Sequence, residues 1–212
     1  FYPGWDLLAQ AASGVVSITG YPGTDKYYKL SDYLGDFIPS NIAALAVLVA
    51  LYYRQKTGKG QYIDLSQSEV LMRLLHNYTY SSITGKELER TGNTDPTMGP
   101  SSIFKARDGK FIALAIATDQ QFEALSAAMG RKGLVKDERF EKAFDRLKPE
   151  NAKELNKIAE EWVSSNDGTE IINLAKKYGF PAAEVMDDLQ ICNDEWRRQR
   201  GSVIVADDEM YG

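Results

Sequence analysis

Cysteine is almost missing from this 212-residue chain: Cys192 stands alone, so no disulfide forms within it. Histidine is as scarce. His76 is the only one, too far along the sequence from Cys192 to suggest a metal cluster, and both read as packing residues. An excess of positive charge is missing too. With 25 Lys and Arg against 30 Asp and Glu, the net charge of −5 leaves no electrostatic footprint for nucleic acid. The longest uncharged apolar run, residues 37–53, falls short of the about 20 residues a membrane span needs, and it contains Pro39, Ser40 and Asn41. No signal-peptide pattern opens the sequence, and it holds no internal repeat or low-complexity tract. What remains is the expectation of a soluble, cytoplasmic globular protein. Its 43% hydrophobic and 26% charged residues are ordinary for that class.

The most informative stretch covers residues 29–65, KLSDYLGDFIPSNIAALAVLVALYYRQKTGKGQYIDL. It opens with a Gly35-Asp36 pair and runs into the apolar segment. The basic glycine turn Lys56-Thr57-Gly58-Lys59-Gly60 follows, and then the β-type run Tyr62-Ile63-Asp64-Leu65. Apolar residues on every face predict a helix buried all round. Pro39 is expected in its first turn, where the missing N–H has no intrahelical partner anyway. Asp36 then sits at or just before the helix start, where free N–H groups and the helix dipole favour an ionised carboxylate. Taken alone, Asp36 reads more readily as a simple helix cap than as a catalytic group.

The combination L-G-D, apolar helix, R-x-K-T-G-K-G-Q, I-D-L and E-V-L-M-R resembles the family III CoA-transferases. That family includes formyl-CoA, carnitine and bile-acid CoA-transferases, with the 2-methylacyl-CoA racemases as close relatives. The resemblance implies that Asp36, 20 residues before Lys56, is the active-site carboxylate. It implies an α/β fold: part of a large CoA-binding domain plus a small α+β domain, drawn from an intertwined homodimer. Because the chain starts at Phe1 rather than Met, it also reads as a central part of a longer family member, inactive by itself.

The segment Asp6-Leu7-Leu8-Ala9-Gln10-Ala11-Ala12-Ser13-Gly14 is similar to one that lines the active-site region in the family. Trp5 and Asp6 are therefore candidate substrate or CoA contacts, or else an aromatic anchor and a helix cap. Lys56 and Lys59 are candidate CoA-phosphate contacts, or else a solvated turn. Residues 1–83 are expected to belong to the large domain. Residues 84–101, rich in turn formers, form a linker where the family carries a glycine-rich segment; this chain has Gly85, Gly92 and Gly99 there, none adjacent to another.

Further along, Ser66 is expected to cap a helix reaching about Ile83, with Glu69 completing a capping box. Asp108-Gly109 predicts a β-hairpin over residues 102–117. Thr118 or Asp119 caps the next helix, Pro149 opens another, and a further helix over residues 169–177 is closed by Gly179. Residues 102–183 so form the small α+β domain, and 184–212 a return linker holding a charged helix (189–200) and a strand (202–206).

A family III transferase uses a shielded carboxylate. It attacks an acyl-CoA to give a mixed anhydride, CoA thiolate then makes an aspartyl-CoA thioester, and an acceptor acid reverses the sequence. Acyl-CoA and a carboxylic acid are the substrates and no separate cofactor is expected. Asp32, with polar flanks, is the reserve nucleophile. Two alternatives stand beside this. In a racemase the same aspartate shuttles a proton at the α-carbon, and in a non-catalytic dimerisation or binding module it is only a cap. In the racemases, a His just before the D-L of the residue 1–20 segment supplies a second acid/base group; here that position holds Trp5.

Overall fold

A computed structural model describes residues 4–31, 33–75, 78–208 and 210. Asp32 and His76 lie outside the described residues. The chain divides into two compact units, Phe1–Asn93 and Thr94–Gly212, and the division falls inside the stretch read as a linker. Residues 184–212 group with the second unit.

The first unit is helical. It comprises α1 (Asp6–Ala12), α2 (Val15–Ile18), α3 (Leu34–Thr57), α4 (Gln67–Met72) and α5 (Tyr78–Thr84). Helix α3 stops where the sequence says it must. Gly58 adopts φ +73°, and its N–H returns to the Arg54 carbonyl at 2.8 Å. Arg54 and Lys56 in the last turn suit the negative end of the helix dipole.

The expectation that α3 is buried all round is overturned. A narrow stripe of small residues, Pro39, Ala43, Ala46 and Ala50, is buried or half-buried on one side, where α1 and α4 lie against the helix. Phe37, Ile42, Leu45, Leu48, Val49 and Tyr52 stay exposed, Phe37 to 66%. The cause is geometric: two short helices cover one stripe of a helix whose large side chains point elsewhere. With 24 residues, α3 is also long and apolar enough by length and composition to cross a membrane. Pro39 is its sixth residue rather than a first-turn one, so the Gly35 carbonyl has no i+4 donor.

Two further expectations change. Residues 62–65 pair with no strand among the described residues, so the expected strand does not form. The long helix from Ser66 is broken. After Met72, the N–H groups of Leu74 and Leu75 bond three residues back, to Leu71 and Met72, which tightens and ends α4. Ser66 contacts Ser68 Oγ at 3.1 Å and makes no side-chain cap bond, so the capping box is absent.

The second unit is α+β. Strands β1 (Ser101–Lys105) and β2 (Phe111–Ala115) pair antiparallel from Ser101↔Ala115 to Lys105↔Phe111. The Asp108-Gly109 turn joins them, with Gly109 at φ +87°. Strand β3 (Ala182–Glu184) adds to the far side of β2. Around this sheet lie α6 (Asp119–Ala128), α7 (Ala143–Arg146), α8 (Pro149–Ser164) and α9 (Gly168–Tyr178), followed by α10 (Asp188–Asn193) and α11 (Glu195–Gln199). The single charged helix expected over 189–200 is thus two, with Asp194 ending one and capping the next. Residues 202–206 form no strand.

Thr118 and Gln121 form a reciprocal capping box on α6. Leu155, Ala159 and Val163 of α8 and Ile171 and Ala175 of α9 repeat at helical spacing and bury against Phe104, Ile112, Leu114 and Phe122. Arg146 is buried to 1% exposure within this layer and is fully engaged. It donates to the Phe140 carbonyl at 2.8 Å, pairs with Asp119 at 2.6 Å and stacks 4.5 Å from the Phe122 ring.

Candidate active site

The start of α3 is assembled from three separate pieces of the first unit. Tyr33, just before the helix, adopts φ +62°, the sole positive φ of a non-glycine residue among the described residues. That conformation costs roughly 1–2 kcal/mol for a residue with a Cβ. Backbone strain of this kind concentrates where function needs a fixed geometry. The Tyr33 carbonyl accepts the N–H groups of Asp36 and Phe37 at 3.1 and 2.8 Å, and its ring meets Phe37 edge to face. Tyr33 makes no side-chain cap bond.

Asp6 caps the helix from a distance. Its Oδ1 accepts the Gly35 N–H at 2.7 Å, so the role expected locally of Asp36 is filled by a residue 29 positions earlier. Gly35 permits this closeness, since a Cβ there would lie 3.0 Å from both the Asp6 carbonyl and Asp6 Oδ1. Gln10, wholly buried one turn along α1, donates to both Asp6 oxygens at 2.9 and 3.1 Å and accepts the Leu30 N–H at 2.9 Å. The Gln10 amide holds the Asp6 carboxyl below its ordinary pKa. The Gly35 and Tyr33 backbone groups and the Lys29 charge add to this, while burial opposes it.

With the helix start capped by Asp6, Asp36 is left in the first turn, half-buried. Its Oδ1 accepts from Gln67 Nε2 at 2.8 Å. Among the described residues no cation pairs with it and no group donates to Oδ2. A carboxylate held on one oxygen by a neutral amide has its orientation fixed while its second oxygen stays available, which is what a nucleophile requires.

Trp5 precedes α1 with its side chain 71% exposed, and its carbonyl accepts the Ala9 N–H. Asp6 and Asp36 are therefore gathered at one helix start, with Trp5 next to Asp6 in the chain. Lys56 and Lys59 are not. At 1.5 Å rise per residue, Lys56 lies roughly 30 Å along α3 from Asp36, with its ammonium 5.5 Å over the Tyr52 ring. Lys59 is exposed in the turn beyond.

Gln67 and Gln10 were not singled out from the sequence. Gln10 left a signal: it and Asp6 are the only polar side chains of residues 6–12, spaced to share a helix face. Gln67 left none, because its partner is 31 positions away.

Comparison with known proteins shows the family of the chain. CoA-transferase family III matches residues 1–212, and the chain belongs to that family. It is 30% identical over 99% of its length to a succinyl-CoA–D-citramalate CoA-transferase of Chloroflexus aurantiacus, covering 52% of that protein. It is 32% identical over 98% of its length to a succinyl-CoA:mesaconate CoA-transferase of Haloarcula marismortui, again covering 52%. Similarity to an acetyl-CoA:oxalate CoA-transferase of Acetobacter aceti is 31%, over 91% of this chain and 49% of that one. The solved structure of a CAIB/BAIF family protein from Brucella suis superposes with a TM-score of 0.73 at 28% identity, covering 93% of this chain and 52% of that one. The chain spans about half the length of the curated relatives it matches.

Proposed function

We propose that the protein transfers coenzyme A from an acyl-CoA thioester to a carboxylic acid, with Asp36 as the nucleophile. The observation that carries this is the half-buried Asp36 carboxylate, tethered through Oδ1 to Gln67, with no donor to Oδ2 among the described residues. In this reading Oδ2 attacks the thioester carbonyl and expels CoA thiolate. The thiolate attacks Cγ of the resulting mixed anhydride, releases the donor acid and leaves an aspartyl-CoA thioester. An acceptor carboxylate then attacks Cγ and expels the thiolate, which attacks the acceptor carbonyl carbon of the new anhydride, forms the new acyl-CoA and releases the Asp36 carboxylate. Charge is conserved at each step and no proton moves, so neither a metal nor a separate cofactor is called for. Exposed Trp5 offers a flat apolar surface to the acyl or CoA portion, while Asp6 fixes the helix start. Lys56 and Lys59 have no role at the nucleophile in this reading.

The acids named in the three relatives above are dicarboxylic, which makes a dicarboxylic acid the acceptor class to try first. Racemisation is disfavoured because it needs a second acid/base group on the far face of the α-carbon. The indole at position 5 exchanges no proton near neutral pH. We take α3 as a packing helix of a cytoplasmic homodimer rather than a membrane span. Its exposed large side chains would meet protein, and its first turn is tied to polar partners at Asp6 and Gln67.

The test is an assay of the intact native protein with acyl-CoA in D₂O, with and without a dicarboxylic acid. Acceptor-dependent CoA transfer with no deuterium at the α-carbon is expected. Rapid α-deuteration without acceptor would establish the racemase instead.

A further inference from the structure

We propose that Gln67 is a second catalytic residue, the oxyanion donor for the two steps in which Cγ of Asp36 is attacked. The inference rests on the transferase reading above and concerns the same site.

The chemistry at Asp36 is unusual in that the enzyme's own carboxyl carbon becomes an electrophile. When CoA thiolate attacks Cγ of the mixed anhydride, a C–S bond forms and the carbonyl electrons move onto the oxygen that is not bridging. Collapse of this tetrahedral species breaks the bond from Cγ to the bridging oxygen and releases the donor acid as a carboxylate. When the acceptor carboxylate attacks the thioester, a C–O bond forms, the same carbonyl oxygen takes the charge, and CoA leaves as thiolate. Both steps need a donor aimed at one particular oxygen of Asp36.

The structure supplies one. Gln67 Nε2 lies 2.8 Å from Oδ1, inside the roughly 2.7–3.1 Å range in which a preorganised donor stabilises an oxyanion. Oδ2, which accepts nothing among the described residues, is then the oxygen that attacks and becomes the bridge. Oδ1 remains the carbonyl oxygen throughout. The donor is neutral, so it does not lower the nucleophilicity of the free carboxylate as a paired cation would.

Its orientation is also built in. Gln67 opens α4, so its backbone is fixed by the helix, whose Val70 N–H bonds back to the Ser66 carbonyl at 3.0 Å. A Cβ on Gly4 would lie 2.9 Å from Gln67 Oε1, so the glycine leaves room for the amide to present its NH₂ to Asp36. The backbone N–H groups of this turn are already used, since Gly35 donates to Asp6 and Asp36 and Phe37 donate to the Tyr33 carbonyl. Among the described residues, the side-chain amide is therefore the donor the site provides.

The experiment uses the intact native protein and three variants: Gln67→Ala, Gln67→Glu and Gly4→Ala. Wild-type protein must first transfer CoA and form an Asp36 adduct. If it does neither, the transferase reading has failed and this proposal with it. Given an active wild type, Gln67→Ala should lower kcat about 10²–10³-fold with little change in KM for the acyl-CoA. Gln67→Glu, nearly isosteric and so no threat to the fold, should be as impaired at neutral pH and regain activity as pH falls. Once protonated, the introduced carboxyl can again donate to Oδ1. With ¹³C-labelled aspartate, the infrared carbonyl band of the aspartyl thioester should move to higher frequency in Gln67→Ala. Gly4→Ala should show an intermediate loss with the same band shift. Wild-type kcat in Gln67→Ala would overturn the proposal. So would a loss in Gln67→Glu that does not respond to pH, or a carbonyl band unmoved by removal of the amide.

Discussion

The two units of this chain bury different things. In the second unit the interior is apolar: Phe104, Ile112, Leu114, Phe122, Leu155 and Ile171 meet in one cluster, and Arg146, the one buried charge among the described residues, is bonded to the Phe140 carbonyl and Asp119. In the first unit, the buried hydrophobic residues among those described are Ala9, Val15 and Leu71, beside the buried amide of Gln10. Large apolar side chains there face outward along α3, while the ordered interior is a polar network around Asp6, Gln10, Gly35, Asp36 and Gln67. Apolar packing holds the second unit together by area. Directional bonds hold the first by geometry, and geometry is what a reacting carboxylate needs.

The sharpest way to break this contrast is to remove the reacting group. Asp36→Ala should abolish CoA transfer, a loss of roughly 10⁴-fold or more, while leaving the thermal unfolding of the protein nearly unchanged. Retained activity would assign the chemistry elsewhere.

Packing comes next. Phe122→Ala removes a fully buried ring and should cost about 3–5 kcal/mol, read as a lowered denaturation midpoint. Leu48→Ala, on the exposed side of α3, should change the stability of this 212-residue chain alone by no more than about 0.5 kcal/mol. Equal effects from the two would show that α3 is covered already within this chain.

A smaller effect concerns pH. The folded-state pKa of Asp6 is depressed, chiefly by Gln10, so its contribution to stability is present above the unfolded value of about 3.9 and lost as pH falls through the folded value. Asp6→Asn should make the acid-side decline in stability shallower. A decline identical to wild type would mean that the Asp6 carboxylate adds nothing as a charge.

The smallest expected effect is at the far end of α3. Lys56→Ala and Lys59→Ala should each leave kcat/KM within about twofold, as surface charges usually do. A large rise in KM for acyl-CoA from either would instead bring that turn to the substrate.

The contrast also explains what was legible in the sequence. In the second unit, turns and caps are local. Asp108-Gly109, Thr118, Pro149 and Gly179 each mark a boundary within a few residues of themselves, and the structure places elements where those residues require. In the first unit the decisive contacts are remote. Asp36 was legible through its Gly-Asp pair and helix start, but its cap comes from Asp6 and its tether from Gln67. Neither contact leaves a spacing pattern. The exposed face of α3 was misread for a related reason: an all-apolar helix shows a need for burial, not which elements meet it. The 62–65 segment has strand chemistry, yet a strand exists only when a neighbour pairs with it.

The central claim is that Asp36 becomes covalently acylated, and the most direct measurement is to trap it. The intact native protein is incubated with acyl-CoA, treated with hydroxylamine or borohydride, digested and mapped by mass spectrometry. The account predicts a hydroxamate or a reduced alcohol at Asp36, dependent on acyl-CoA and absent in Asp36→Ala. Modification at Asp32, or at no carboxylate while CoA transfer proceeds, would contradict it.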